Sequence, residues 1–175
     1  MKTPAKLDLG DCLPYLTNRV GMIVAEQFGT DTLAEHGLSI AMWRVMAVLA
    51  SRGSQRQIDL ADLTSIEVST LSRLVTRLIR KGLVTRTRSA NSNREVAVKL
   101  SPKGRSLVNH LIPIALEFEA AAIAGLSAKD LAVLKRCLRR MFGNMKNRAA
   151  AADQHRGMRD SAAALPSFPR KRQSG

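Results

Sequence analysis

Residues 67–81 constrain this chain more than any other stretch. Leu71, Leu74, Val75, Leu78 and Ile79 follow the spacing of one helix face, which predicts a helix docked along that side on a core. The opposite side carries Ser69, Thr70, Ser72, Arg73, Thr76, Arg77 and Arg80, with no acid after Glu67. Glu67 falls in the first turn, where the helix dipole favours a negative charge. Such a helix needs an apolar bed beneath it and an anion above it.

The flanking sequence supplies the bed. Residues 7–28 place Leu9, Leu13, Leu16, Val20, Ile23, Val24 and Phe28 at three- and four-residue steps, an amphipathic helix with Pro14 near its start. Ser39 predicts the N-cap of a second helix over 40–50, apolar nearly all round and so the buried centre of the domain. A turn at 51–54 leads to a short helix over about 55–63. After the basic helix, Gly82 serves as its C-terminal glycine. Two period-two runs, 83–89 and 94–100, then flank the turn Ala90-Asn91-Ser92-Asn93 and predict a β-hairpin. Ser101-Pro102 opens a long helix to about 124, which Pro113 should kink. Ser127 to Asp130 resembles a capping box for a last helix to about 147.

The expected fold class is mainly α with a small β-hairpin wing: a winged helix-turn-helix plus a helical dimerisation region. One unit is expected over 1–148, with the winged part at about 38–100 and the dimerisation helices at about 7–28 and 101–147. The last segment, 149–175, loses its pattern and reads as a disordered basic tail. Wide apolar stripes on the outer helices exceed what the small winged part can cover, which predicts a homodimer.

Charge decides what the basic helix meets. The chain carries 28 Lys and Arg against 14 Asp and Glu, a net +14. From Glu67 to Arg105 there are ten Lys or Arg and two acids, so +8 of that net sits in less than a quarter of the chain. For one helix alone, a merely solvated basic face is as good a reading. A basic hairpin following a helix, turn and basic helix makes double-stranded DNA the better partner. Ser69, Thr70, Ser72, Arg73, Thr76 and Arg77 are the candidate groove contacts, and Arg86, Arg88 and Arg94 suit phosphates or the adjacent minor groove. The segment has no aromatic stacking platform, which disfavours single-stranded RNA.

These residues also carry a family resemblance. The run LADLTSIEVSTLSRLVTRLIRKGLVTRTRS, then NREVAVKLSPKG, resembles the DNA-binding core of the MarR (multiple-antibiotic-resistance regulator) family. The signatures are Ser69 to Leu74, Lys81-Gly82-Leu83-Val84, the wing Arg94, and Leu100-Ser101-Pro102-Lys103-Gly104. Similarity extends from about Leu9 through residue 147, including Trp43-Arg44-Val45. The resemblance implies a triangular homodimer binding pseudo-palindromic operators near promoters, controlled by a small ligand (often an aromatic carboxylate, a phenol or a related thioester) or by thiol oxidation. The family's wing usually has an acid two residues before the arginine; here that place is Ser92.

The family's effector pocket lies between the dimerisation helices and the winged domain, which makes Tyr15, Arg19, His36, Trp43, Arg44 and His110 the candidate ligand residues. An arginine near a tryptophan can hold a carboxylate against an aromatic surface. Each also has a plainer role: Trp43 as a core anchor, Arg44 as an ion-pairing surface group, His110 as a half-exposed helix residue. Cys12, three residues before Tyr15, loosely resembles the peroxide-sensing branch of the family, although Asp11 beside it would raise a thiol pKa. A non-specific architectural DNA binder is the other alternative, one the basic tail would suit.

Other classes find little support. His36, His110 and His155 share no ligand spacing, and no HExxH, GxSxG, phosphate loop or CxxC pair occurs, so neither an enzyme, a metal site nor a cofactor is expected. Cys12 and Cys137 lie far apart and fit a reducing compartment. The start of the chain has no apolar run and the longest apolar stretches are too short for a bilayer, which predicts a cytoplasmic protein without membrane contact.

Overall fold

Three capped helix starts lay out the winged part of the molecule. The Ser39 Oγ accepts from the Met42 amide at 3.3 Å, the Glu67 carboxylate from the Thr70 amide at 3.0 Å, and the Ser101 Oγ from the Gly104 amide at 2.9 Å. Each satisfies a donor that the first helical turn leaves without a backbone partner. The structure is a computed structural model that describes residues 7–89 and 92–163, with side chains described for all of these except 88–95 and 153–163.

In chain order, a 3-10 turn at Leu9–Asp11 precedes α1 (Leu13–Phe28), followed by a π turn at Gly29–Leu33 and a 3-10 turn at Ala34–His36. Next come α2 (Ile40–Arg52), β1 (Gln55–Arg56), α3 (Gln57–Thr64), α4 (Val68–Arg80), β2 (Val84–Ser89), β3 (Ser92–Leu100) and α5 (Pro102–Ala122). The last element is α6 (Ala128–Ala163). Contacts divide the chain into two units at the Ala124/Gly125 junction, not after residue 148.

In the first unit, α2 lies at the centre, with Met42, Val45, Met46 and Leu49 buried, as its nearly all-round apolar sequence requires. Leu60 of α3, Leu71, Val75 and Leu78 of α4, Val84 and Val98 of the sheet, and Val108 and Leu111 of α5 complete one core. The turn between α3 and α4 is closed by the Ile66 amide on the Ala61 carbonyl at 3.1 Å, with Ser65 at φ 55°. That is the left-handed region, reached by no other non-glycine among the described residues.

The end of α4 forms a Schellman closure. The Gly82 amide donates to Ile79 O at 2.8 Å and the Leu83 amide to Leu78 O at 3.0 Å, with Gly82 at φ 72°. Glycine fits there because it has no Cβ to clash in the left-handed region.

The sheet has order β1-β3-β2 and is antiparallel throughout. Val84 faces Leu100 and Arg86 faces Val98, so these four side chains share one sheet face. That face is buried at Val84, Leu100 and Val98, and Arg86 on it is exposed. An apolar base therefore turns cationic toward the tip. Strand β1 was absent from the sequence reading because two residues carry no period; it exists only as an edge partner of β3.

Three expectations need correction. The first helix does not start at residue 7: Cys12 is extended (φ −79°, ψ 108°), and α1 begins after it with Pro14 in its first turn. The polar connection 29–36 is itself helical, as π and 3-10 turns. The segment 149–163, expected as disordered tail, continues α6 to Ala163. The run Ala149–Ala152 explains why: it loses the apolar stripe but keeps the highest helix propensity. Residues 164–175 of the expected tail, and 90–91 of the expected turn, lie outside the described residues. The capping box of α6 does form, with the Asp130 amide 3.1 Å from Ser127 Oγ. Pro113 sits inside α5, which is continuous around it. Among the described residues, no single helix is long and apolar enough to cross a membrane.

Candidate nucleic-acid interface

Helix α4 divides as its spacing requires. Leu71, Leu74, Val75 and Leu78 are buried, while Ser69, Thr70, Arg73, Arg77 and Arg80 are exposed and Ser72 and Thr76 lie half-buried between the faces. Ser72, Arg73, Thr76, Arg77 and Arg80 line one shallow depression of about 260 Å³. Among the described residues, none of Arg73, Arg77, Arg80 or Arg86 forms an ion pair; the exposed pair Arg56–Asp59, at 2.7 Å, lies elsewhere. Long cations held on a rigid helix outside any ion pair remain available to an external anion.

Two hydroxyls of this face are already engaged. Thr76 Oγ1 donates to the Ser72 carbonyl at 3.0 Å, and Ser69 Oγ donates to the Glu67 carboxylate. That second bond comes first among the causes that hold the Glu67 carboxyl down to about 2; backbone hydrogen bonds from Ser69 and Thr70 follow, and the Arg73 charge adds to them. Glu67 thus sits not inside the first turn but at the N-cap, a role the sequence reading missed. Glu67 two residues before a serine at a helix start was the available signal.

The wing residues stand differently. Arg86 is exposed on β2 opposite Val98. Arg88 is opposite Val96 in the backbone register, and the pairing then shifts to Ser89 opposite Ser92, so residues 93–95, including Arg94, fall in the irregular step. The side chains of Arg88 and Arg94 lie outside the described residues.

Helix α4 is tied at its far end to the start of α5. Ser101 Oγ donates to the Gly82 carbonyl at 2.6 Å, the Ser101 amide to Leu83 O at 3.0 Å, and Lys103 Nζ to the Lys81 carbonyl at 3.3 Å.

The six candidate ligand residues do not gather into one pocket. Tyr15 and Arg19 pair on α1, with the guanidinium 5.7 Å from the ring centroid. Trp43 is half-buried, edge-on to Phe28, which is in turn edge-on to Phe118, both at 5.4 Å between centroids. Arg44 is exposed. His36 and His110 meet with centroids 6.1 Å apart and line a cavity of about 770 Å³ together with Arg80, Lys81 and Lys103. Sequence spacing could not pair them, because the contact depends on how α5 packs beside the 3-10 turn at Ala34–His36. Cys12 is a free, half-buried thiol and Cys137 a free, exposed one. Among the described residues no group of three His, Cys, Asp or Glu is arranged to hold a metal ion.

Comparison with known proteins follows the same lines. The MarR family model matches residues 38–96. The chain is 24% identical over 152 residues to the HTH-type transcriptional repressor NicR of Pseudomonas putida, covering 83% of this chain and 96% of that protein. Its fold is similar to a MarR family transcriptional regulator from Silicibacter pomeroyi, with a TM-score of 0.74, 27% identity, and 79% and 93% of the two chains covered. It is also similar to NadR, solved in complex with 4-hydroxyphenylacetate, with a TM-score of 0.69, 26% identity, and 81% and 97% covered.

Proposed function

We propose that this chain, a MarR-family winged-helix transcription regulator, reads duplex DNA sequence-specifically as a homodimer and releases or grips it in response to a small aromatic acid. The observation that carries the reading is α4: an apolar side sealed into the core and an opposite side presenting Arg73, Arg77 and Arg80, none of them in an ion pair among the described residues. A major groove about 12 Å wide admits one such helix. Its short Ser and Thr side chains allow close approach, and its arginines reach base edges or phosphates. The exposed Arg86 of the wing suits the neighbouring backbone.

Surface chemistry supports two-fold pairing. Helix α1 exposes Leu13, Leu16, Val20 and Ile23, a continuous apolar face unfavourable for a monomer in water. A self-complementary interface covers it and sets two copies of α4 about one DNA turn apart, which favours a pseudo-palindromic site. The aromatic effector is supported by the ligand of the similar NadR structure.

Gel-shift titration of a promoter fragment against random duplex of equal length tests the reading. Specific binding is expected to exceed non-specific binding by at least about a thousandfold at physiological salt. Equal affinities would leave an architectural DNA binder.

A further inference from the structure

We propose that the cavity between the end of α4 and the first turns of α5 is a binding site for a small multivalent oxyanion, a polycarboxylate or an organic phosphate, and that Arg80 links its occupancy to DNA affinity. The cavity holds about 770 Å³, the range of small-molecule sites. Arg80 and Lys81 enter it from the last turn of α4, Lys103 and Ser106 from α5, and His36 and His110 form an edge-to-face imidazole wall. Among the described residues no carboxylate lines it.

A plainer account explains part of this cluster. Cations at a helix C-terminus complement its dipole, and the Lys103 ammonium already bonds the Lys81 carbonyl. It does not explain why three cations and two imidazoles from three separate segments border the same space. Like charges gathered without a counter-charge repel, and an anion with two or three charges relieves that repulsion where a monoanion relieves little. The imidazole wall adds donors and a flat surface, so the site suits an oxyanion with a compact carbon skeleton better than a bulky aromatic acid.

Arg80 connects the two surfaces. It lines this cavity and also the depression that Ser72, Arg73, Thr76 and Arg77 form on the outer face of α4. A guanidinium engaged by an anion in the cavity is withdrawn from a phosphate outside, so occupancy lowers DNA affinity. The coupling rests on the DNA-binding reading; the anion site does not.

Calorimetry on the full-length protein without DNA tests the site alone, with citrate and inorganic pyrophosphate as probes and benzoate as the monoanionic control, at constant ionic strength. Expected is one site per chain for citrate or pyrophosphate, at least tenfold tighter than benzoate, and weakened at least tenfold by Lys103→Gln and by His110→Gln. His36→Gln, which alters neither partner of the Lys103–Lys81 hydrogen bond, gives the same loss and separates it from misfolding, which circular dichroism monitors. Probe binding no tighter than benzoate, or unchanged in these variants, overturns the site. If Lys103→Gln and His110→Gln instead weaken duplex binding as much as Arg73→Ala while no probe binds, the cavity belongs to the DNA-backbone surface and the proposal fails. For the coupling, saturating probe should weaken duplex binding of the wild-type protein several-fold and leave that of Arg80→Gln unchanged; an equal effect on both overturns it.

Discussion

Gly104 stands against Leu83 so closely that a Cβ built at residue 104 would lie 1.9 Å from the Leu83 carbonyl oxygen. The oxygen is fixed, because it accepts the Ser101 amide at 3.0 Å and belongs to the residue that closes the end of α4. Gly104 is helical, so its value here is the missing side chain rather than conformational freedom. The start of α5 and the end of the cationic helix therefore share one backbone junction.

Gly104→Ala should destabilise the protein by roughly 1–3 kcal/mol, the range for overpacking a close contact. Urea unfolding checks the magnitude. A separate readout distinguishes a mere stability loss: well below the unfolding midpoint, where the variant remains folded, DNA affinity should still fall because α4 has been pushed off its seat. Wild-type stability in Gly104→Ala would mean that α5 and α4 separate freely. Ser101→Ala probes the same junction more gently, at about 1–2 kcal/mol for the lost cap.

Arg73→Ala should weaken binding to the preferred operator by about 1–3 kcal/mol and relax base preference at one position of each half-site, if its guanidinium reads a guanine. Arg86→Ala and Arg94→Ala should act differently, weakening all sequences alike and reducing the salt slope by about one unit each. Binding-site selection on a randomised duplex, with titrations at two salt concentrations, separates the two behaviours. Unaltered affinity and preference in Arg73→Ala would displace α4 from the groove.

Glu67 gives α4 a pH dependence. Its carboxyl is held at about 2 by the Ser69 hydroxyl and the Ser69 and Thr70 amides, well below the ordinary carboxylate value of 4.5. A depressed folded value means that the ionised cap stabilises the fold at pH above the unfolded value, and that this contribution is lost as pH falls from about 4.5 toward 2. The urea midpoints of wild type and Glu67→Gln should therefore differ at pH 6 and converge as pH approaches 2.5. A difference independent of pH would show that the carboxylate charge is not what caps α4.

What could be read from the sequence divides along physical lines. The α4 stripe was legible because one period of 3.6 served both burial and presentation, so Leu71 and Arg73 fell on opposite sides without tertiary knowledge. Gly82 was legible because the end of a helix needs a left-handed residue; Ser65 in the same role was not, since serine carries no such signal. The hairpin was legible from alternation, which puts Val84 and Arg86 on one face, but not the exposure of Arg86 there, which depends on where the core ends along the strand. The His36–His110 contact and the joining of Lys103 to Lys81 were invisible because they arise from where α5 lands, beside the Ala34–His36 turn and against the end of α4. The helix past residue 148 was missed because an alanine run signals propensity without periodicity.

The apolar face of α1 offers the most direct test of assembly. Val20 and Ile23 are 57% and 52% exposed within the chain, so charging them leaves the core of the protomer intact, and surface changes of this kind usually alter stability by no more than about 0.5 kcal/mol. If that face is covered by a second copy, the double substitution Val20→Glu and Ile23→Glu places four like charges in an apolar interface and should drive the dimer apart at micromolar concentration. Sedimentation velocity reads the mass. The consequence for DNA is larger than that for any single contact: a dimer joins two half-sites and gains the effective concentration of a linked pair, on the order of 10²–10⁴ in apparent affinity. A folded monomer that has lost affinity on that scale, with the half-site preference set by Arg73 intact, is the expected result. A wild-type protein that sediments as a monomer while binding a palindromic duplex tightly would remove the two-fold arrangement, and with it the spacing that makes one turn of DNA the natural unit of recognition.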